Sequence, residues 1–268
     1  MGHIVDCHCH VYPDKIAEKA SSSTGKFYGI PMRYDGKVDT VKGLLAESGV
    51  TKCIIFSVAT KPSQTRSINE FIARAVEENK DIFYGLGTMH PESEDLDGDI
   101  NHLIELGLKG VKLHPDIQGF KIDDYRCLKI YELCEKKGLP VLFHTGDKRY
   151  DLSNPNRLKP ILDTYTNLTV IGAHLGGYSV WEQACDELSG YEKLYVDCSS
   201  SLFAFEPAKA RELIRKYGAD KVLFGTDFPM WNPKEELDRL KALELSDDEM
   251  EKILWKNADR IFNLGLEE

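Results

Sequence analysis

The sequence predicts an α/β protein, a (β/α)8 TIM barrel with a long loop after strand 1. Three observations predict it. Eight short apolar runs of strand length recur along the chain, helix-patterned segments fall between them, and the alternation fits within 268 residues. Continuous apolar runs suit parallel strands covered on both faces. Eight of them alternating with helices match the arithmetic of such a barrel. A doubly wound open sheet is the competing architecture. No Gly-rich phosphate loop follows the first run, which counts against its commonest form.

The runs are "HIVDCHCH", "KCIIFSVA", "FYGLGTMHP", "LKGVKLHP", "LPVLFHTG", "LTVIGAHLGG", "LYVDCSSS" and "VLFGTDFP". The first is followed by a loop over residues 11–38, rich in Ser, Gly and Pro, with a short helix at "PDKIAEKA". At the mouth of a barrel such a loop would act as a lid. The helix "VDTVKGLLAES" comes next. "SINEFIARAVEEN" follows the second run, with Ser67 as N-cap and Glu70 three residues on. "DGDINHLIEL", "YRCLKIYELCEKKG", "NRLKPILDTY", "VWEQACDEL" and "PAKARELIRKYG" take the later gaps. The last carries Pro207 near its start and Gly218 past its end. The tail "LSDDEMEKILWKNADRIFNL" reads as one closing helix capped by Ser246 and Glu249. No linker interrupts the series, so residues 1–268 read as one domain.

Composition narrows the function. Hydrophobic residues make up 42%, enough for a sizeable core. The net charge is −10, and no long basic run opposes that field, which argues against nucleic-acid and anionic-membrane partners. The 7 cysteines are odd in number and sit in apolar stretches. With no secretory leader and no membrane-length run, the expectation is a reduced cytoplasmic protein, with homo-oligomers compatible.

The chemistry is carried by residues at the ends of runs. Strand alternation puts Ile4, Asp6, His8 and His10 on one face of the first run and Cys7 and Cys9 on the other. The cysteines then read as small buried hydrophobes. An HxH pair alone is a weak signal. It is joined by His144 in "LFHTG", His174 in "GAHLGG" and Asp227 in "GTDFP", all at the strand ends where barrel enzymes gather their sites. Neutral imidazoles and a carboxylate are good ligands for a divalent ion. Four histidines and an aspartate buried without one would need many other partners.

This spaced set resembles the amidohydrolase superfamily of metal-dependent TIM barrels. It is most similar to the amidohydrolase-related branch that includes aminocarboxymuconate-semialdehyde and resorcylate-type decarboxylases. The resemblance runs from "DCHCH" to the terminal "NADRIF". It implies a barrel of the metal-dependent hydrolase type in which His8, His10, His144 and Asp227 hold one metal, Zn2+ first and Mn2+ second. It gives Asp227 and His174 the catalytic roles. A rival two-metal arrangement would use Lys112 of "GVKLHP", carboxylated, as a bridge; otherwise Lys112 is an unmodified lysine paired within the barrel.

Two reactions suit such a cage. A metal-activated water would hydrolyse a small, carboxylate-bearing ester, lactone or amide, with His174 or Asp227 moving protons. Alternatively, the ion would bind a substrate oxygen and a phenolic or enol acid would lose carbon dioxide. Hydrolysis is placed first, decarboxylation second, and a metal-binding barrel without catalysis third. The substrate is expected to be a small anion, met by Arg149, Tyr150, His114 and Trp181, with Lys61, Arg66 and Lys148 as further mouth cations. Phe27 and Tyr28 of the long loop would cover a flat ring, and His90 reads as structural.

Overall fold

The apolar runs form the parallel strands β1 (Val5–His10), β2 (Lys52–Phe56), β3 (Phe83–Gly85), β4 (Gly87–Thr88), β5 (Val111–Leu113), β6 (Val141–Phe143), β7 (Val170–Gly172), β8 (Leu194–Asp197) and β9 (Val222–Leu223). The structure, a computed structural model, describes residues 2–266; Met1, Glu267 and Glu268 lie outside the described residues. The third run is one strand broken at Leu86. Leu86 N–H still donates to Ile55 of β2, 3.0 Å, whereas Gly87 N–H donates to Gly110 ahead of β5, 2.9 Å. The barrel closes where Cys7 N–H donates to Phe224 O at 2.9 Å and His10 N–H to Phe228 O at 2.7 Å.

The helices are α1 (Ala17–Tyr28), α2 (Val38–Ser48), α3 (Thr65–Glu78), α4 (Leu96–Glu105), α5 (Pro115–Gln118), α6 (Leu128–Lys137), α7 (Pro155–Thr164), α8 (Trp181–Leu188), α9 (Pro207–Tyr217), α10 (Pro233–Lys241), α11 (Asp247–Glu251) and α12 (Asn257–Phe262). Among the described residues none is long and apolar enough to cross a membrane. Val5, Ile54, Phe56, Leu142 and Leu223 form one buried cluster with Trp255 and Phe262 of the closing segment. A larger cluster, with Ile55, Val111, Val170 and Val222, joins the sheet to the surrounding helices.

Four local expectations change. The long loop holds the twelve-residue α1, which runs through "SSSTG" rather than stopping at Ala20. The hydroxyls of Ser23 and Thr24 donate to the carbonyls of Lys19 and Ala20, one turn back, so they do not break the helix. The α3 helix starts at Thr65, preceded by a turn at Pro62–Gln64, and Gln64 Oε1 accepts from Thr60 N–H and Lys61 N–H. Ser67 is therefore inside the helix and not its N-cap. The closing helix is interrupted by a π-turn at Lys252–Lys256, while its Ser246–Glu249 capping box forms as expected. The α10 helix, capped by Asn232, was not anticipated.

The fourth expectation to change is in β1, α10 having had none to overturn. Its pairing with β2 runs Asp6 to Cys53 and then Cys9 to Ile55, so three steps on β1 oppose two on β2. This bulge inserts one residue and breaks the alternation. Cys7 packs with Val5 and Phe56, Cys9 packs with Cys53 and Ile55, and Asp6 turns toward Cys9 rather than toward the histidines. Asp6 Oδ1 then accepts from the displaced His8 N–H at 3.1 Å and from Thr226 N–H at 3.0 Å, stapling the bulge to the last strand.

Candidate metal centre

His8 and His10 end β1, and the backbone of the "GTDFP" turn docks beside them: Asp227 N–H donates to His8 O, 2.8 Å. Gly225 allows this approach, because a Cβ there would meet the His8 Cβ at 2.9 Å. Asp227 itself adopts φ 62° and His174 φ 58°. Such left-handed backbone at a non-glycine costs ~1–3 kcal/mol, and it gathers at functional sites.

The side chains converge. His8 Nε2 and His10 Nε2 lie 3.2 Å apart, and Asp227 Oδ1 lies 3.4 Å from the first and 3.5 Å from the second. The three offer ligand atoms within 4.8 Å of one another. His8 Nδ1–H donates to the buried Asp197 at 2.8 Å, which leaves Nε2 as a lone pair facing the cluster. Ser200 Oγ–H donates to Asp227 Oδ2 at 2.5 Å and is itself held by Trp231 Nε1–H at 2.9 Å, so Oδ1 is the oxygen left for the cluster.

Electrostatics keep these groups in ligand form. Burial pushes the His8 imidazole down to about 4 and lowers His10 as well, so both are neutral at pH 7. Burial alone would raise the Asp227 carboxyl. The imidazoles of His8, His10 and His174 outweigh it and hold Asp227 well below the usual carboxylate range. Two neutral imidazoles and one carboxylate form the donor set that a divalent ion takes, and the residues present fit one.

The other histidines stand alongside. His144 Nδ1 lies 3.0 Å from His174 Nε2, and its ring stacks on His114 with centroids 4.0 Å apart. With Asp116, His114 and His144 make a second group of close ligand atoms next to the His8, His10 and Asp227 group. His174 is positioned from β8: its backbone N–H donates to Asp197 Oδ1 at 3.2 Å, and its Nδ1 lies 3.0 Å from Ser199 O. Lys112 is fully buried, with Nζ 3.3 Å from His8 Nε2 and 4.9 Å above the Phe56 ring; burial pushes it down to about 8.

A cavity of about 870 Å3 opens onto this centre. His10, His114, His144, His174 and Asp227 form its floor, and α1 covers it. Tyr28 reaches down from α1 to place its hydroxyl 2.8 Å from His114 Nε2. Burial and the nearby carboxylates keep that phenol protonated.

Arg149, Tyr150 and Trp181, expected at the substrate, do not line the cavity. Arg149 forks onto Asp147 and donates to Phe27 O at 2.7 Å. Tyr150 stacks outside on Phe27, and Trp181 Nε1–H donates to Ser201. Arg66 is tied to Asp99 on the outer surface at 2.8 Å. His90 holds Glu92 N–H through Nδ1, a local structural bond. What the sequence did not single out is Asp197, Ser199 and Ser200, although "VDCSSS" ends a strand as the chosen motifs do. It also passed over Lys19 and Arg74, which do line the cavity.

The fold and site define a barrel with, at its mouth, a ligand cluster that could hold a divalent ion. The chain belongs to the amidohydrolase family, whose profile matches residues 5–264. It is 31% identical over 99 residues to 2-amino-3-carboxymuconate-6-semialdehyde decarboxylase of Dictyostelium discoideum, covering 34% of this chain and 27% of that one. It is 28% identical over 124 residues to gamma-resorcylate decarboxylase of a Polaromonas species, covering 39% of this chain and 37% of that one. The chain thus spans about a third of the length of these curated relatives. A dihydroxybenzoic acid decarboxylase from Polaromonas, solved with manganese and 2-nitroresorcinol, superimposes with a TM-score of 0.74 at 17% identity, covering 100% of this chain and 98% of that one. A 5-carboxyvanillate decarboxylase from Sphingomonas paucimobilis gives 0.74 at 15%, covering 98% and 99%. The expectation that placed hydrolysis first is corrected by these relatives: both curated ones are decarboxylases, and the alternative reading is the one they support.

Proposed function

We propose that the protein is a metal-dependent, non-oxidative decarboxylase of a phenolic or enol carboxylic acid. The observation that carries this reading is the His8, His10 and Asp227 cluster, whose His10 and Asp227 form part of the floor of a covered, largely apolar cavity, beside a row of neutral imidazoles and a protonated phenol. The names of the two curated relatives support it.

His8, His10 and Asp227 would hold the ion, with His144 as the neighbouring imidazole. When bound, a divalent ion would polarise a substrate oxygen and steady the charge that develops as carbon dioxide leaves. Mn2+ is the first ion to test, given the manganese in the Polaromonas structure, and Zn2+ the second. Tyr28 and His114, joined at 2.8 Å, present hydrogen-bonding groups to a substrate oxygen. The apolar walls and α1 exclude water from the carboxylate, which favours loss of its charge as carbon dioxide. The carbon–carbon electron pair then stays on the ring or enol carbon. That carbon takes up a proton, ultimately from solvent, and His174 and Asp227 are the groups through which it would move; Asp227, a carboxylate, would first have to accept it.

The test is carbon dioxide release from a panel of hydroxybenzoates and enol acids by protein loaded with Mn2+ or Zn2+. Metal-dependent release that a chelator abolishes is expected. Loaded protein that is inert across the whole panel would sink the reading.

A further inference from the structure

The cavity is larger than a single-ring acid needs. Its volume, about 870 Å3, lies near the top of the roughly 300–1,000 Å3 over which drug-sized ligands are bound. Its shape follows from two helices. Ile16, just before α1, lines it with Lys19 and Ala20 of that helix, and Ile68, Phe71 and Arg74 of α3 line it too. On each helix these positions recur at three- and four-residue spacing, so each presents one stripe to the space. The apolar members are not fully sealed: Ile16 remains 51% exposed.

Charge varies along this space. Near the floor stand the imidazoles and Tyr28. Lys19 precedes Tyr28 by nine positions, about 13 Å along the α1 axis. Arg74 is seven positions beyond Ser67, the first cavity-lining residue within α3, about 10 Å along that axis. Neither Lys19 nor Arg74 has an ion-pair partner among the described residues. By contrast Arg33, Arg126, Arg149 and Arg157 all carry close carboxylates. Lys19 and Arg74 stand one on each helix, exposed at the edge of the space, and in a chain with a net charge of −10 two such unpaired cations would attract an anionic group.

We propose that the site takes an elongated acid. Its reactive carboxylate head sits over His10 and Asp227 at the floor, an apolar extension lies between α1 and α3, and a second anionic group at the far end meets Lys19 and Arg74. This deepens the decarboxylase reading and rests on it for the identity of the head group.

Three probes test it by calorimetry on Mn2+-loaded protein. They are 2,6-dihydroxybenzoate, the same acid with a nonyl chain opposite the carboxylate, and the same acid with an ω-carboxyoctyl chain there. Wild type should bind the ω-carboxyoctyl acid about fivefold to tenfold more tightly than the nonyl acid, the scale of two partly exposed ion pairs. The Lys19→Ala/Arg74→Ala variant, its folding checked by circular dichroism, should bind the two alike. Equal affinities in wild type, a preference that survives in the variant, or no binding of either chain-bearing acid would overturn the proposal. Carbon dioxide release separates the two readings. Release from dihydroxybenzoate without the terminal-carboxylate preference removes the elongated substrate alone. The preference without release from any acid keeps the cleft assignment and removes decarboxylation.

Discussion

His8 shows how much one proton's position decides. Its Nδ1–H is committed to Asp197, and burial keeps the ring neutral, so the Nε2 lone pair is available to a cation. Cys9, one residue on, has its thiol against Asp6 and packs outside the barrel. His8→Ala should therefore lose bound metal, measured by plasma mass spectrometry, while Cys9→Ala keeps it. Metal retained in the first or lost from the second contradicts the assignment. Asp197→Asn offers a finer check. The carboxylate orients His8 and braces His174 and Ser199, so its amide should weaken metal affinity by about 10–100-fold with the fold intact. Unchanged affinity in a metal titration would refute that bracing role. At this scale the sequence was informative, because His8, His10, His174 and Asp227 each end a run. Asp197 ends one too, but a lone aspartate before three serines carries no spacing signal.

At the scale of elements, α1 is the part that turns an open barrel mouth into a covered cavity. It is fastened from outside. Arg149 forks onto the buried Asp147, donates to Phe27 O, and sits 5.1, 5.5 and 5.1 Å from the ring centres of Phe27, Tyr28 and Tyr150. Arg149 is thus a positioning residue acting through Tyr28. Arg149→Ala should raise KM about tenfold at unchanged metal content, the loss expected when charged hydrogen bonds are removed. It should also speed proteolysis within residues 11–37. Arg149→Lys should restore the charge without the fork and recover only part of the effect. An unchanged KM and digestion pattern would show that α1 is held without it. The continuation of the helix past Ala20 escaped sequence reading because Ser23, Thr24 and Gly25 are loop formers by composition. Their hydroxyls bond back one turn, and Gly25 lies so close to Ile30 O that a Cβ would stand 2.7 Å from it.

For the whole molecule, one buried carboxylate couples stability to pH away from the site. Glu236 on α10 is fully buried against Arg239, and its second oxygen has no hydrogen-bond partner among the described residues. Burial, opposed by Arg239, pushes it up to about 7. A folded-state value above the ordinary 4.5 means the protonated form favours folding. That contribution is complete below about pH 4.5 and is lost as pH rises through 7. Glu236→Gln should consequently gain on wild type between pH 5 and pH 8, by on the order of 1–3 kcal/mol, read as a widening difference in melting temperature. A difference that stays constant or narrows would contradict it.

Sequence alone determined the barrel, its order of elements and most of the floor of the site. Apolar runs, helix periodicity and polar residues at run ends are local properties, and a parallel barrel turns strand ends into one mouth. Tertiary structure decided the rest, because the rest depends on register and on which helix face meets which neighbour. One inserted residue in β1 separated Asp6 from the histidines and Cys7 from Cys9. The packing of α1 and α3 around one space brought Lys19 and Arg74 to the cavity and left Arg149, the cation expected there, holding the lid from outside. Long charged side chains on helices look alike in sequence, and only the direction each one faces separates recognition from solvation.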